Sequence, residues 1–284
     1  MTRPIAVDHT FLHRWVRAPK PEDHKYSRGV LALVTGSLAY PGAALIGVEA
    51  AVRTGVGMVR YSGPEGVAQM VITQHPEVVI APGSADALVV GSGMVSPIDD
   101  DTRARVTAAV AQGIPSVVDA GALELVENFG PLTVLTPHHG ELEALLERLG
   151  IPAGATDRES AQKLAQELSM TVLVKGANGA VVDGSGGVWA LPKATPWLAT
   201  AGTGDALAGI LGALLAAWHE RIHESPELLG EAVAAGALIH QIAAARASAR
   251  AVGDADSPTG GPFSVMDVCR EIPAVIGDAI TSWA

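Results

Sequence analysis

GVLALVTGSLAYPGAALIGVEAAVRTGVGMVRY, residues 29–61, holds the fold in miniature. The apolar run closed by Gly36 reads as a strand buried on both faces, because a half-exposed strand would alternate apolar and polar residues. Pro41 suits the first turn of a helix and Gly55 a helix stop, so 41–55 reads as a helix. Residues 57–63 read as the next strand. A strand, a covering helix and a second strand make the parallel βαβ unit.

The alternation continues along the chain. Strands are expected at 87–93, 115–123 and 132–137, and a helix over 99–112. Residues 159–176 read as a helix followed by a strand, and 180–191 as a β-hairpin around the glycine-rich turn. Beyond Asp205 the chain reads as mainly helical, broken by a loop at 251–263. This pattern implies an α/β fold with a largely parallel central sheet and helices on both faces. With no repeat and no long linker, one domain over 1–284 is expected, 1–23 being a lead segment.

Composition narrows the function. Hydrophobic residues make up 48% and aromatics 4%, so the core must be built from Ala, Val, Leu and Ile. The net charge of −11 argues against nucleic acid or an anionic membrane as partner. A single cysteine, Cys269, excludes a disulfide framework and a cysteine-rich metal site. Residues 1–20 have no signal-type apolar stretch, and the apolar run 206–218 is shorter than the about 20 residues a bilayer needs. A soluble, cytoplasmic protein is expected.

In a parallel sheet, ligands gather beyond the carboxyl ends of the strands. Six segments fall on that rim: TGSLAYPGA (35–43), GSGM (91–94), DAGAL (119–123), TPHHGE (136–141), KGANG (175–179) and AGTGD (201–205). The last is the most suggestive. Gly202, Thr203 and Gly204 can turn backbone amides toward one point, and the helix that follows adds its N–H groups and positive dipole end. Such a loop suits a phosphoryl group, and Asp205 beside it reads either as a proton acceptor or as an ordinary helix cap. No Lys-Ser/Thr pair follows the glycines, so it is not a Walker A loop.

Lys175 ends a strand where its ammonium can meet phosphate, while Gly176 and Gly179 let the backbone approach; an ordinary surface turn is the competing reading. In TPHHGE, Glu141 can reach back to the backbone of His138 as a capping box, and His138 can also hydrogen-bond a polar ligand. Zinc is disfavoured because no separated third ligand is evident. Asp119 and Glu141 are candidates to hold hydrated Mg²⁺ indirectly, near nucleotide phosphates. Trp189 and Trp197 are read as packing residues.

Taken together, 24–61, TPHHGELEALL, LVKGANGAVV, LATAGTGDALAGILGALLA and DVCREIP resemble the ADP-dependent NAD(P)H-hydrate dehydratase family, from about His24 onward. The resemblance implies a ribokinase-like fold. It also implies repair of hydrated NADH or NADPH: ADP phosphorylates the ring hydroxyl, leaving AMP, and phosphate is then eliminated. By the same likeness Asp205 would deprotonate that hydroxyl. Ala43, Gly93, His138 and Asp205 would contact the hydrated dinucleotide. Lys175, Gly176, Ala177, Asn178, Gly179 and Gly204 would hold the adenine nucleotide, with Mg²⁺ as the expected cofactor. A homo-oligomer, often a tetramer in the family, is expected, without the epimerase domain that many bacterial relatives carry in front. Val95, Ala201 and His139 depart from the family pattern. A kinase of the same fold and a nucleotide-binding sensor are the rival readings. His138 stands where kinases of this fold have Asn, which favours the dehydratase.

Overall fold

The computed structural model describes residues 4–253 and 259–282, so part of the expected 251–263 loop lies outside the described residues. The strands are β1 (Ile5–Ala6), β2 (Val30–Val34), β3 (Met58–Tyr61), β4 (Ala87–Val90), β5 (Ser116–Val118), β6 (Thr133–Leu135), β7 (Thr171–Val174), β8 (Ala180–Val182) and β9 (Val188–Ala190). The helices are α1 (His9–Leu12), α2 (Pro41–Thr54), α3 (Glu65–Gln74), α4 (Asp100–Val110), α5 (His139–Leu149), α6 (Asp157–Leu168), α7 (Thr203–Ala217), α8 (His219–Glu224), α9 (Leu229–Val252) and α10 (Val265–Thr281).

Residues 29–61 fold as expected: β2 and β3 are parallel neighbours joined by α2, which starts with Pro41 and stops at left-handed Gly55. The strands form one nine-stranded sheet in the order β1-β9-β8-β7-β6-β5-β4-β2-β3. Among the described residues β8 alone runs against the rest, and with β9 it forms the expected hairpin. Successive residues of β4 explain the unbroken apolar strands: Ala87 and Val89 belong to the core that includes α2, α7, α9 and α10, whereas Leu88 and Val90 belong to the core that includes α4, α5 and α6.

Helix α7 is buried along almost its whole length, from Ala206 to Ala216. It approaches α2 so closely that a side chain on Gly209 would run into the Gly47 carbonyl. Helix α9 is long and apolar enough, by length and composition, to cross a membrane. Yet 72% of its most apolar window is buried inside the fold, which makes it a core helix.

One expectation needs correction. The strand placed at 115–123 ends at Val118, and Ala120–Asn128 forms a 3₁₀ helix entered through Ala120 at φ 46°. The lead segment joins the fold: β1 pairs with β9 at the sheet edge, and Phe11, Leu12 and Trp15 are buried in the main core. Trp218 Nε1 donates to the Trp15 carbonyl at 2.7 Å, tying that segment to the end of α7.

Candidate active site

The strand order reverses between β4 and β2, with β3 on the far side of β2. The loops after these two strands therefore diverge and leave a crevice at the switch point. They are tied at their base by Gly36 N–H donating to the Ser92 carbonyl at 2.7 Å. Gly93, at φ 70°, lies against the first turn of α2: an added Cβ would stand 2.5 Å from Ala43 Cβ and 2.9 Å from the Tyr40 carbonyl. The structure thus brings Ala43 and Gly93 together across the crevice.

Asp205 sits on the neighbouring helix. Gly202 at φ 91° is the N-cap of α7, and no side chain caps the amides that follow. Asp205 is the third residue of the helix and is not its cap, which removes the competing reading of this aspartate. Its backbone carbonyl faces Gly47, one turn along α2 from Ala43. Burial and the negative charge of Asp119 push its carboxyl up to about 6, against the pull of Lys175.

Asp119 is buried at the end of β5. Its Oδ1 accepts from Lys175 Nζ at 2.7 Å and Thr136 Oγ1 at 2.8 Å, and its Oδ2 from Ser92 Oγ at 3.0 Å. Lys175 Nζ also lies 3.8 Å from Glu141 Oε2, and a Cβ on Gly204 would come within 3.7 Å of it. The Lys175 N–H donates to the Pro137 carbonyl at 3.1 Å, locking β7 to the TPHHGE loop. Three other rim segments, far apart in sequence, therefore converge on one ammonium.

His138 forms the expected capping box: its Nδ1 accepts from the Glu141 N–H at 3.2 Å, while its own N–H donates to Glu141 Oε2 at 2.8 Å. The ring is exposed, and its Nε2 lies 3.6 Å from Glu141 Oε1. His139 turns away to Asp157, its Nδ1 2.8 Å from Oδ1. No cluster of three or more His, Cys, Asp or Glu suited to a metal occurs among the described residues. Asp119 and Glu141 do face a cation, but that cation is Lys175. A directly ligated ion does not fit beside so fully engaged a carboxylate as Asp119.

The loop of residues 175–179 separates two hollows. The inner one, about 420 Å³, runs between Lys175, Gly176, Ala177 and Gly179 on one side and Thr203, Gly204 and α9 on the other. Asn178 lies on the outer hollow with Arg158. Trp189 is buried as expected, whereas Trp197 is 37% exposed and donates its indole N–H to the Thr259 carbonyl at 2.8 Å. The sequence reading missed Ser92 and Thr136 as partners of Asp119, although both stand in rim segments it had marked. It also missed His240 and Gln241 in the wall of the inner hollow. The signal was there: adjacent polar residues interrupting the apolar α9.

A mostly parallel sheet with helices on both faces is the ribokinase-like fold, as its structural neighbours show. A ribokinase-like superfamily protein from Enterococcus faecalis superposes with TM-score 0.79 at 18% identity, covering 97% of this chain and 96% of that one. An ADP/ATP-dependent NAD(P)H-hydrate dehydratase from Bacillus subtilis, co-crystallised with ATP and Mg²⁺, superposes with TM-score 0.73 at 22% identity over 96% and 97%. The chain belongs to the NAD(P)H-hydrate dehydratase family, whose model matches residues 31–259. It is 37% identical over 269 residues to the bifunctional NAD(P)H-hydrate repair enzyme Nnr of Mycobacterium leprae, covering 90% of this chain and 54% of that protein. It is 33% identical over 221 residues to the ADP-dependent (S)-NAD(P)H-hydrate dehydratase of Xanthomonas campestris, covering 70% and 76%. The chain spans about half the length of the bifunctional relatives it matches, 44% of the Mycobacterium tuberculosis protein among them.

Proposed function

We propose that this chain dehydrates hydrated NADH and NADPH at the expense of ADP, returning NAD(P)H with AMP and phosphate. Hydroxide is a poor leaving group. In this reading Asp205 takes the proton of the ring hydroxyl as that oxygen attacks the β-phosphorus of ADP and AMP departs. The C–O bond then breaks, phosphate leaves, and loss of a proton from the adjacent ring carbon restores the double bond. The Gly204 amide in the uncapped first turn after Gly202 would stabilise the transferring phosphoryl group, whereas the Thr203 N–H donates to the Thr200 carbonyl at 3.4 Å. Lys175, Gly176, Ala177, Gly179 and Gly204 would hold ADP, with Asn178 on the outer side of the loop, while Ala43, Gly93 and His138 would contact the dinucleotide.

The observation that carries this reading is Asp205 itself, a half-buried carboxyl in the first turn of an uncapped helix, held near pKa 6 so that it is ionised yet basic at neutral pH. Mg²⁺ would arrive with the nucleotide phosphates and meet Glu141 through water, supplying charge neutralisation. Family likeness supports a cytoplasmic homo-oligomer, a tetramer, as the accompanying proposal.

The test is recovery of reduced-nicotinamide absorbance from hydrated NADH and NADPH with ADP, with ATP and without nucleotide. Recovery that requires a nucleotide and disappears in Asp205→Asn supports the reading. A folded protein that binds ADP but recovers nothing, or whose product keeps its phosphate, would overturn it in favour of a kinase.

A further inference from the structure

Thr203 is the first residue of α7, followed by Gly204 and then Asp205. It is buried, at 9% exposure, although its side chain is polar. Its Oγ1 stands 2.9 Å from the Leu198 carbonyl and 2.9 Å from the Thr200 carbonyl. A hydroxyl has one proton, so the two carbonyls share it. The Thr203 N–H also donates to the Thr200 carbonyl. Both donors of this residue thus turn back onto residues 198–200.

Those bonds join two parts of the candidate site. Leu198 ends the short 3₁₀ turn Pro196–Leu198 and lines the inner hollow, as do Pro196 and Ala199. Thr200 Oγ1 donates in turn to the Trp197 carbonyl at 2.9 Å, so this wall is folded on itself. The turn before Thr203 is tightly placed too: a Cβ on Gly202 would stand 2.8 Å from Ile46 Cδ1 of α2 and 3.2 Å from Val265 Cγ1 of α10. No side chain caps α7, so the usual device that fixes a helix start is missing. The Thr203 hydroxyl is what ties that start to the loop in front of it.

We infer that Thr203 is a positioning residue, whose hydroxyl fixes the first turn of α7 against the wall of the inner hollow and so sets where the Gly204 amide and the Asp205 carboxyl stand. The inference rests on the proposed dehydration, in which those two groups act on the phosphoryl group and the ring hydroxyl. A misplacement of about 1 Å at such groups can cost about 10²-fold in rate. Valine keeps the shape of threonine without the donor, and serine keeps the donor without the methyl group, so hydroxyl and packing can be separated.

The test is turnover of hydrated NADPH with ADP, together with thermal melts and calorimetric titration of ADP. Thr203→Val should lower kcat at least about tenfold while the Kd for ADP stays within about threefold. Thr203→Ser should bring kcat back to within about threefold of the unaltered protein. If Thr203→Val does not fold, Thr203→Cys, a weak donor in the same place, is measured instead and should fall below the serine variant. An unchanged kcat in the folded valine variant would overturn the inference and leave the hydroxyl a contributor to stability alone. Equal losses in the valine and serine variants would overturn it in favour of the methyl group. A loss of ADP affinity as large as the loss of kcat would overturn it in favour of a direct nucleotide contact. A folded, unaltered protein that regenerates neither NADH nor NADPH from its hydrate would overturn the dehydratase reading, and this inference with it.

Discussion

Lys175 Nζ lies 2.7 Å from Asp119 Oδ1, and this pair sets the electrostatics around Asp205. Asp119 raises the Asp205 carboxyl and Lys175 lowers it, with burial as the largest influence. The lysine is therefore more than a phosphate ligand in waiting. It also limits how far a buried acid beside another acid can drift toward the neutral form.

Asp205→Asn is expected to lower turnover by about 10²–10⁴-fold, the usual contribution of a positioned base. It should also stabilise the protein at pH 8. The folded carboxyl titrates near 6, above its ordinary 3.8, so folding favours the protonated form. The stability this confers is fully present below 3.8 and lost as pH rises through 6. Above that, the ionised group costs about 1–2 kcal/mol after allowance for its partial solvent contact, and Asn removes the cost. Thermal melts at pH 8 check this: the variant should melt higher than the unaltered protein, and an equal or lower melting point would contradict it.

The pH profile follows from the same group. The activity should rise with pH through about 6 as Asp205 ionises, falling about tenfold for each unit below that value. Asp119→Asn removes the neighbouring negative charge and leaves Lys175 uncompensated. Both changes favour ionised Asp205, so the acid limb should move to lower pH. A profile of kcat/KM for both proteins measures the shift, and a limb that stays put would remove Asp119 from the electrostatics of the site.

Lys175→Met should weaken ADP binding and move the acid limb the other way, to higher pH, because the one charge that lowers the Asp205 pKa is gone. It should also cost about 2–3 kcal/mol of stability, since it leaves the buried Asp119 carboxylate without its cation. Ser92 and Thr136 still donate to that carboxylate, which keeps the loss below that of a wholly orphaned charge. Denaturant melts and nucleotide titration of the same sample read both effects.

At His138 two substitutions separate structure from binding. His138→Ala removes the cap of α5 and should cost about 1 kcal/mol, whereas His138→Asn keeps an N-cap acceptor and should hold stability within a few tenths. Both should raise KM for the hydrated dinucleotide if the exposed ring contacts it. A KM that rises only in the alanine variant would reduce His138 to a helix cap.

Much of this was legible in the chain itself. Local chemistry determines the elements: Pro41 and Gly55 bound α2, His138 and Glu141 cap α5, and the apolar runs around Val89 and Val117 mark strands buried on both faces. Since parallel strands need crossovers, those runs also place the rim segments at one end of the sheet. Short-range rules failed where long-range packing prevailed. The strand at 116–118 stops early because the chain turns into a 3₁₀ helix after Asp119, whose carboxylate is held by partners from three other segments. The leading residues gain structure only by burying Trp15 under α7 and adding β1 to a distant hairpin.

The sequence by itself determined the α/β class, the order of the elements and the set of polar residues at the strand ends, because periodicity, caps and turn chemistry act over a few residues. Tertiary structure decided that Asp205 is the third residue of an uncapped helix, that Lys175 belongs to Asp119, and that His240 and Gln241, each with a buried unpaired atom, line the inner hollow. These are matters of distance and desolvation between segments remote in the chain, and both arise only when the sheet closes its two faces.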